Sequence, residues 1–207
     1  MKLKKLRVRI GTISIICTLA VMLLMPSCKE VAVPKPRGYF RIDLPERHYV
    51  MFDAEKAGKK NLPFSFEYPS YGHLSFQPEM GSEPGWFNIE FPKYKAKIYF
   101  TYKDVKNNFA GLMEQTYKMN VKNHIEKADA INEKEYNNKK NDVYGVLYDL
   151  KGNTATAVQF YATDSTSHYL RGSLYFSAEP NSDSLAPVIN FFRQDIIHLI
   201  ETLKWKK

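Results

Sequence analysis

The residue with the clearest predicted chemistry is Cys28, whose thiol directly follows the small residue Ser27 at the end of an apolar run. Cleavage of a secretory signal requires a small residue before the cut, and we expect Cys28 to become the mature N-terminus and to receive a lipid. The other cysteine, Cys17, lies inside the segment that would be removed. The mature chain would therefore contain no free thiol and no disulfide partner for an acylated Cys28.

The residues before Cys28 are typical of a secretory signal, so we predict a signal peptide over 1–27. The basic residues of its first ten positions have no acidic residue beside them, and they are Lys2, Lys4, Lys5, Arg7 and Arg9. The apolar run 10–25 is shorter than the roughly 20 residues that a spanning helix needs. The segment resembles the lipobox of bacterial lipoproteins, although Met25 and Pro26 depart from the usual Leu-Ala-Gly-Cys pattern. An uncleaved membrane anchor with an incidental cysteine is the alternative.

The rest of the sequence carries no recognisable catalytic motif, and we predict that the protein is not an enzyme and holds no metal or cofactor. It lacks a Gly-rich phosphate loop, a His-Glu-x-x-His pair, a Ser-x-x-Lys pair and a Gly-x-Ser-x-Gly turn. The histidines are scattered without the spacing of metal ligands, and they are His48, His73, His124, His168 and His198. His198 and Glu201 lie one helical turn apart, which is usual for a surface hydrogen bond.

Net charge argues against nucleic acid as a partner. The chain has 30 basic and 22 acidic residues, a formal charge of +8, and removing the five basic residues of the signal would lower it to +3. A nearly balanced mature chain lacks the electrostatic footprint of a nucleic-acid-binding protein.

A short tether and a strand are predicted after the lipid site. Pro34 and Pro36 predict an extended tether over 28–37. Apolar residues then alternate with polar ones over 38–45, as in a half-buried edge strand. We predict a partner-contact surface on the outward side, formed by Arg37, Tyr39 and Arg41. The alternative is that these charges belong to a solvated strand face.

The remaining elements follow from periodicity and turn residues. Alternation and Gly, Pro or Ser punctuation predict strands at 64–68, 73–77, 86–91, 96–102, 144–150, 156–163 and 169–176. A helix is predicted over 105–128 with Asn107 and Asn108 as candidate caps, followed by a polar strand and hairpin loop over 130–142. A second amphipathic helix is predicted from Ser182 onward, with Phe192, Ile196 and Leu199 on its apolar stripe.

Strands, a helix, strands and a final helix predict an α+β fold, with a central antiparallel sheet packed by two long helices in one domain over 38–207. The element order is similar in general shape to the Mog1/PsbP-like fold. Aromatic residues make up 14% of the chain, which is explained either by β propensity and core filling or by a protein or glycan contact surface.

Several long blocks resemble the gliding motility lipoprotein GldD family of the Bacteroidetes. The most specific are CKE at 28–30, VPKPRGYFRIDLP at 33–45, KAKIYFTYKDVKNN at 95–108, the block 142–187 and IIHLIETLKWK at 196–206. The resemblance implies a lipid-anchored, periplasm-facing envelope component required for gliding and for the associated type IX secretion machinery. It implies other lipoproteins of that system as partners, brings no catalytic residue, and assigns a chemical role only to Cys28. A glycan or peptidoglycan binder and an envelope hydrolase are the alternative function classes.

Overall fold

The computed structural model describes residues 41–59, 61–76 and 83–206. Within these residues the chain forms ten β-strands and two α-helices. The elements are β1 (Tyr49–Asp53), β2 (Phe64–Pro69), β3 (His73–Phe76), β4 (Trp86–Phe91), β5 (Ala96–Asp104), α1 (Phe109–Tyr117), β6 (Ala130–Asn138), β7 (Val143–Lys151), β8 (Thr156–Thr163), β9 (His168–Phe176), α2 (Ser182–Thr202) and β10 (Lys204–Trp205).

The strands form two antiparallel sheets. The larger has seven strands in the order β3-β4-β5-β9-β8-β7-β6, and the smaller has three in the order β1-β2-β10. The strands from β6 to β9 follow one another as neighbours because short turns join them, and short turns can only connect antiparallel strands. The predicted α+β class with antiparallel sheets is confirmed. The second, smaller sheet is an addition to the single central sheet that was expected.

One face of the seven-stranded sheet is covered by the small sheet and by α2. Alternation along β4 directs Phe87 and Phe91 to this face, and both are buried. Phe87 lies parallel to Phe100 of β5 with ring centroids 4.5 Å apart, and Phe192 of α2 lies 4.5 Å from Phe91. The predicted burial of the apolar stripe of α2 is confirmed for Phe192, Ile196 and Leu199.

The opposite face of the large sheet carries α1. Leu112 and Thr116 of α1 are buried, and a π-helical turn at Lys118–Lys122 continues the helix. Its Val121 packs with Tyr148 and Leu150 of β7 in a small apolar cluster. This face is more polar than the first, because its strands bring hydroxyl, amide and guanidinium groups beneath the helix.

The first helix is shorter than predicted. Asn107 has a positive φ of 57°, so regular helix begins only at Phe109. Asn108 is the residue before the helix as expected, but its side chain accepts a hydrogen bond from the backbone of Lys106 instead of capping the helix. No side chain between 122 and 128 is buried, and Ile125 is 63% exposed. A helical segment with no buried face gains too little from packing to persist.

The strand predicted over 38–45 is wrong over its described part, residues 41–45, which form no strand. Leu44 packs on the main core and the hydroxyl of Tyr94 donates to the backbone oxygen of Asp43 at 3.1 Å. The apolar and polar residues do alternate, but residues 41–45 pair with no strand of either sheet. The first strand of the described residues begins at Tyr49.

The chain leaves α2 earlier than the apolar periodicity suggests. Leu203 has extended backbone angles and is fully buried, and the next two residues pair with β2. The helix begins at Ser182 as predicted, and Asn181 caps it by accepting a hydrogen bond from the backbone of Ser184 at 3.2 Å.

Candidate functional site

Of the site residues predicted from the sequence, Cys28, Arg37 and Tyr39 lie outside the described residues. The side chain of Arg41 is 91% exposed and forms an ion pair with Asp43 at 3.0 Å. An exposed ion pair of this kind contributes little to stability, so a partner's carboxylate could replace Asp43 at small cost. The geometry of Arg41 is therefore that of a surface residue with no role in the core.

A buried carboxylate joins the N-terminal part of the domain to α2. Asp195 lies on the buried side of α2, and it accepts hydrogen bonds from the hydroxyls of Tyr49 at 2.9 Å and Tyr71 at 2.5 Å. Arg47 approaches the same carboxylate at 3.3 Å and donates to the backbone oxygen of Phe191. We call Arg47, Tyr49, Tyr71 and Asp195 the Asp195 clamp.

The electrostatics of the Asp195 clamp favour a structural role. Burial raises the pKa of Asp195, while the tyrosine hydrogen bonds and Arg47 oppose that rise. Burial, followed by the bond to Asp195, raises the pKa of Tyr49 to about 12, and the same causes raise the pKa of Tyr71 further. Both hydroxyls therefore stay protonated near neutral pH, and each donates its hydrogen bond to Asp195. The clamp joins segments that are distant in sequence.

His198 extends this contact, although not with the partner considered from the sequence. Its Nε2 lies 2.6 Å from the carboxylate of Glu67 on β2, and its ring stacks on Tyr49 at 3.7 Å. The pair with Glu201 suggested by helical spacing is not the one formed. The small sheet and α2 are thus joined by polar as well as apolar contacts.

A second polar group secures the C-terminal strand. The hydroxyl of Tyr102 contacts Asp104 at 3.0 Å and His168 at 2.9 Å, and the ring of His168 stacks on Trp205 at 5.1 Å. Burial first, and then the bond to Asp104, raise the pKa of Tyr102. The hydroxyl therefore stays protonated, and the arrangement fixes β10 beside β9.

The most unusual chemistry lies beneath α1, where Arg171 of β9 is partly buried without a carboxylate. Its Nε donates to Asn120 at 3.0 Å and its Nη2 donates to Gln159, which also accepts from Ser173 at 3.2 Å. Asn120 and Gln159 are fully buried. Arg171 forms no ion pair with any of the described residues. We call Arg171, Asn120, Gln159 and Ser173 the Arg171 cluster.

Both amide groups of the cluster accept hydrogen bonds from the guanidinium through their oxygens. Their NH₂ groups therefore point away from the guanidinium and need acceptors of their own. Within the described part of the chain, neither the Asn120 Nδ2 nor the Gln159 Nε2 has a hydrogen-bond partner, although both are buried. Burial lowers the pKa of Arg171, and burial followed by the positive charges of Arg171 and Lys127 lowers the pKa of His124. The cluster is therefore rich in donors, and its positive charge forms no ion pair with a carboxylate of the described residues.

Arg171 also faces a cavity of about 160 Å³. The cavity lies between α1 and the strands β4, β5 and β9, and its lining includes Trp86, Thr101, Lys103, Met119 and Arg171. Trp86 is 39% exposed, and Glu83 stands among the lining residues as the one carboxylate. An aromatic ring, hydroxyl groups and two cations thus surround a space with the volume of a small organic group.

The Arg171 cluster was missed from the sequence because a lone arginine in an alternating strand resembles a solvent-facing residue. Asn120 lies within the helix predicted over 105–128 and was the available signal, since a buried amide needs a polar partner. The π-helical turn places Asn120 over Arg171, and such turns occur often at functional sites.

Metal-binding clusters and membrane-spanning helices are both absent from the described residues. No group of three or more His, Cys, Asp or Glu side chains there is arranged to hold a metal ion. No helix there combines the length and the apolar character needed to cross a membrane.

Comparison with known proteins finds a matching family and a solved structure of partial similarity. The model of a family described as gliding motility lipoprotein GldD matches residues 29–205. No curated protein matches the chain. A solved structure with partial similarity is cyanobacterial PsbP (CyanoP) from Synechocystis sp. PCC 6803, with 9% identity and a TM-score of 0.45, covering 80% of this chain and 97% of that chain. The family description names a lipoprotein of motility and no class of enzyme.

Proposed function

The chain belongs to the gliding motility lipoprotein GldD family, and from that membership we propose that it is a lipid-anchored envelope component that supports type IX secretion by physical association. The observation that carries the proposal is the extent of the family match, 29–205, which begins at the residue after Cys28. The match includes both candidate sites and every described element. Family membership therefore supports a role in gliding motility and an association with a membrane.

The proposed anchor is a lipid on Cys28 after removal of the signal over 1–27, with 28–37 as the tether of a domain over 38–207. A basic first segment, a short apolar run and Ser27 before the cysteine support it. One acyl chain binds membranes only marginally, at ~0.8 kcal/mol per buried CH₂, so stable retention needs several chains. The domain would then face the periplasm from whichever membrane holds the lipid.

Support for association instead of catalysis comes from how the buried titratable groups are used. The carboxylate of Asp195 is occupied by Tyr49, Tyr71 and Arg47, and the hydroxyl of Tyr102 is occupied by Asp104 and His168. Asp195 is held by partners from other segments, and Tyr102 is held by Asp104 of its own strand and His168 of β9. These groups stabilise a rigid scaffold, which suits an assembly or stabilising factor.

The proposed contact surface is Arg37, Tyr39 and Arg41. These residues are close in sequence to the proposed lipid site, so they would lie near the membrane where neighbouring lipoproteins are anchored. Arg41 is well exposed and its ion pair with Asp43 is weakly held. Reversing the charges with Arg37→Glu and Arg41→Glu should leave the fold intact, because such surface changes usually stay within about ±0.5 kcal/mol. Binding should weaken, because like charges across an interface slow association.

The test measures type IX cargo in the medium of cells that carry a deletion, the double reversal, or Cys28→Ala. A matched control is Lys139→Glu with Lys140→Glu, which changes the net charge equally at exposed positions of the β6–β7 turn. We expect loss of export and of gliding in the deletion, loss of fatty-acid labelling in Cys28→Ala, and weaker recovery of envelope partners only for the Arg37 and Arg41 variant. Full export in the deletion would refute the function, and full export in the double reversal would refute the contact surface.

Binding to isolated peptidoglycan without recovery of envelope proteins would favour a glycan-binding lipoprotein instead. Co-purification of the intact lipoprotein from detergent-solubilised envelopes distinguishes these two outcomes. General secretion should be unaffected in every strain, because the proposed role concerns one export pathway.

A further inference from the structure

We propose that the cavity beside Arg171 binds a small molecule or a chain end through a single carboxylate group. The proposal rests on the Arg171 cluster and its cavity and does not depend on the role in motility. It commits to a chemical class of ligand, a carboxylate on a small substituent, and it uses residues that lie away from the predicted contact surface.

The positive charge of Arg171 favours an anionic ligand. A guanidinium that leaves water loses hydration energy, and proteins normally offset this loss with a carboxylate. Among the described residues, Arg171 has only the amide oxygens of Asn120 and Gln159 as side-chain acceptors. Lys103 adds a second positive group to the cavity wall. A ligand that supplies the missing negative charge would therefore bind where the protein has left it uncompensated.

The unused N–H donors of Arg171 favour a ligand that accepts hydrogen bonds. A guanidinium has five N–H donors, and those of Arg171 are only partly used by its two amide partners. The NH₂ groups of Asn120 and Gln159 are buried and lack partners among the described residues. Neither amide lines the cavity, so both hold the guanidinium in place, and a ligand in the cavity would be met by the unused N–H donors of Arg171. A carboxylate accepts in the planar, two-oxygen geometry that arginine matches.

The size and the lining of the cavity limit the ligand to a small group. The cavity of about 160 Å³ is close to the roughly 150 Å³ of an engineered cavity that holds benzene. It therefore admits a carboxylate with one short substituent and excludes a folded partner. Trp86 and Met119 supply apolar surface for that substituent. Inorganic phosphate has no apolar substituent to cover the surface of Trp86 and Met119, so a carboxylate with such a substituent is the better fit.

A free peptide C-terminus and a sugar acid both offer this chemistry, so the experiment includes one probe of each kind. Calorimetry on the full-length chain in detergent compares acetyl-alanyl-alanine with its C-terminal amide, and glucuronate with glucose. Inorganic phosphate at equal ionic strength is the test for general anion binding. We expect at least one carboxylate probe to bind at millimolar concentration and its neutral counterpart to bind roughly tenfold more weakly or worse. The probe that binds identifies the source.

Variants assign the binding to Arg171. Arg171→Lys keeps the charge and removes the planar fork, so binding should weaken roughly tenfold, and Arg171→Gln should abolish it. Lys97→Gln, which removes a cation paired with Glu90 on the same sheet face, is the matched control and should bind normally. Thr101→Asp places a carboxylate opposite Arg171 in the strand register, so it should abolish binding while the fold is retained.

Several results would overturn the proposal. These are equal binding of the neutral probes, binding of phosphate as tight as that of the carboxylates, or no binding of any probe. Retained binding in Thr101→Asp would also overturn it, and this variant keeps the test decisive if Arg171→Gln fails to fold.

Discussion

Replacing Phe192 by Ala tests the packing that holds α2 on the large sheet. The side chain is fully buried in the main core. Its ring centroid lies 4.5 Å from that of Phe91, 5.7 Å from Tyr94 and 5.7 Å from Phe191. A fourth ring, that of Phe176 at the end of β9, lies 6.3 Å away. Removing the ring leaves a cavity that none of these aromatic side chains can fill without losing its own contacts.

The expected cost follows from these contacts. Truncation of a buried Phe costs about 3–5 kcal/mol, and aromatic pairs contribute ~0.5–1.5 kcal/mol beyond their buried area. With four neighbouring rings, we expect the free energy of unfolding to fall by about 4 kcal/mol. For a domain of this size the melting temperature should then fall by roughly 8–16 °C.

Urea denaturation of the wild type and the variant measures this loss directly, provided that the slope with denaturant is unchanged. Ile125→Ala is the matched control, because Ile125 is 63% exposed and its truncation should change the free energy of unfolding by less than about 0.5 kcal/mol. A loss below about 1 kcal/mol for Phe192→Ala would show that this face of α2 does not pack on the sheet.

Three further predictions concern other contacts. Asp195→Ala should lower the free energy of unfolding by about 3 kcal/mol because it removes the hydrogen bonds that Tyr49 and Tyr71 donate to a buried carboxylate, whereas Tyr49→Phe should cost about 1 kcal/mol, both measured in urea. Asp164→Asn should cost about 1 kcal/mol at pH 7 and almost nothing in strong acid. Burial raises the pKa of Asp164, but three backbone N–H groups hold it below its ordinary value, so its stabilising effect is present above about pH 3.8 and is lost as the pH falls through the lowered pKa. Gly145→Ala should cost about 1–3 kcal/mol, because a Cβ there would meet the backbone oxygen of Tyr161.

Each has a contradicting outcome. Equal losses for the Asp195 and Tyr49 variants would mean that the carboxylate has no more than one effective partner. A pH-independent deficit in Asp164→Asn would mean that its ionised form is not favoured by folding. Unchanged stability in Gly145→Ala would mean that β7 and β8 can separate locally without cost.

Most of the fold was predictable because strand alternation and turn residues are local signals. The strands at Trp86–Phe91 and Thr156–Thr163 have the predicted bounds. β1 and β10 were missed, since each is short and depends on β2, a strand distant in sequence from β10, for its hydrogen bonds. The 38–45 segment shows the converse error, in which a correct alternation finds no partner in its described part.

The candidate sites were less predictable, because they are made by contacts between distant elements. Asp195 stands on the apolar stripe of α2, between Phe192 and Leu199, so an acidic residue on a buried face was visible in the sequence. Its partners Tyr49 and Tyr71 come from the other end of the chain. Arg171 gave no signal of its own, since only the covering helix makes it buried.

The Asp195 clamp also determines how the domain would respond to pulling. If the chain is tethered at its N-terminus, tension enters the described domain at residue 41 and reaches Arg47 and Tyr49 before the rest of β1. These two side chains are held by Asp195 on α2, so force is transmitted into a long helix embedded in the core. Peeling β1 from β2 would require the ion pair and the tyrosine hydrogen bonds to break first. The clamp would thus act as a mechanical anchorage at the end of the domain nearest to the proposed tether.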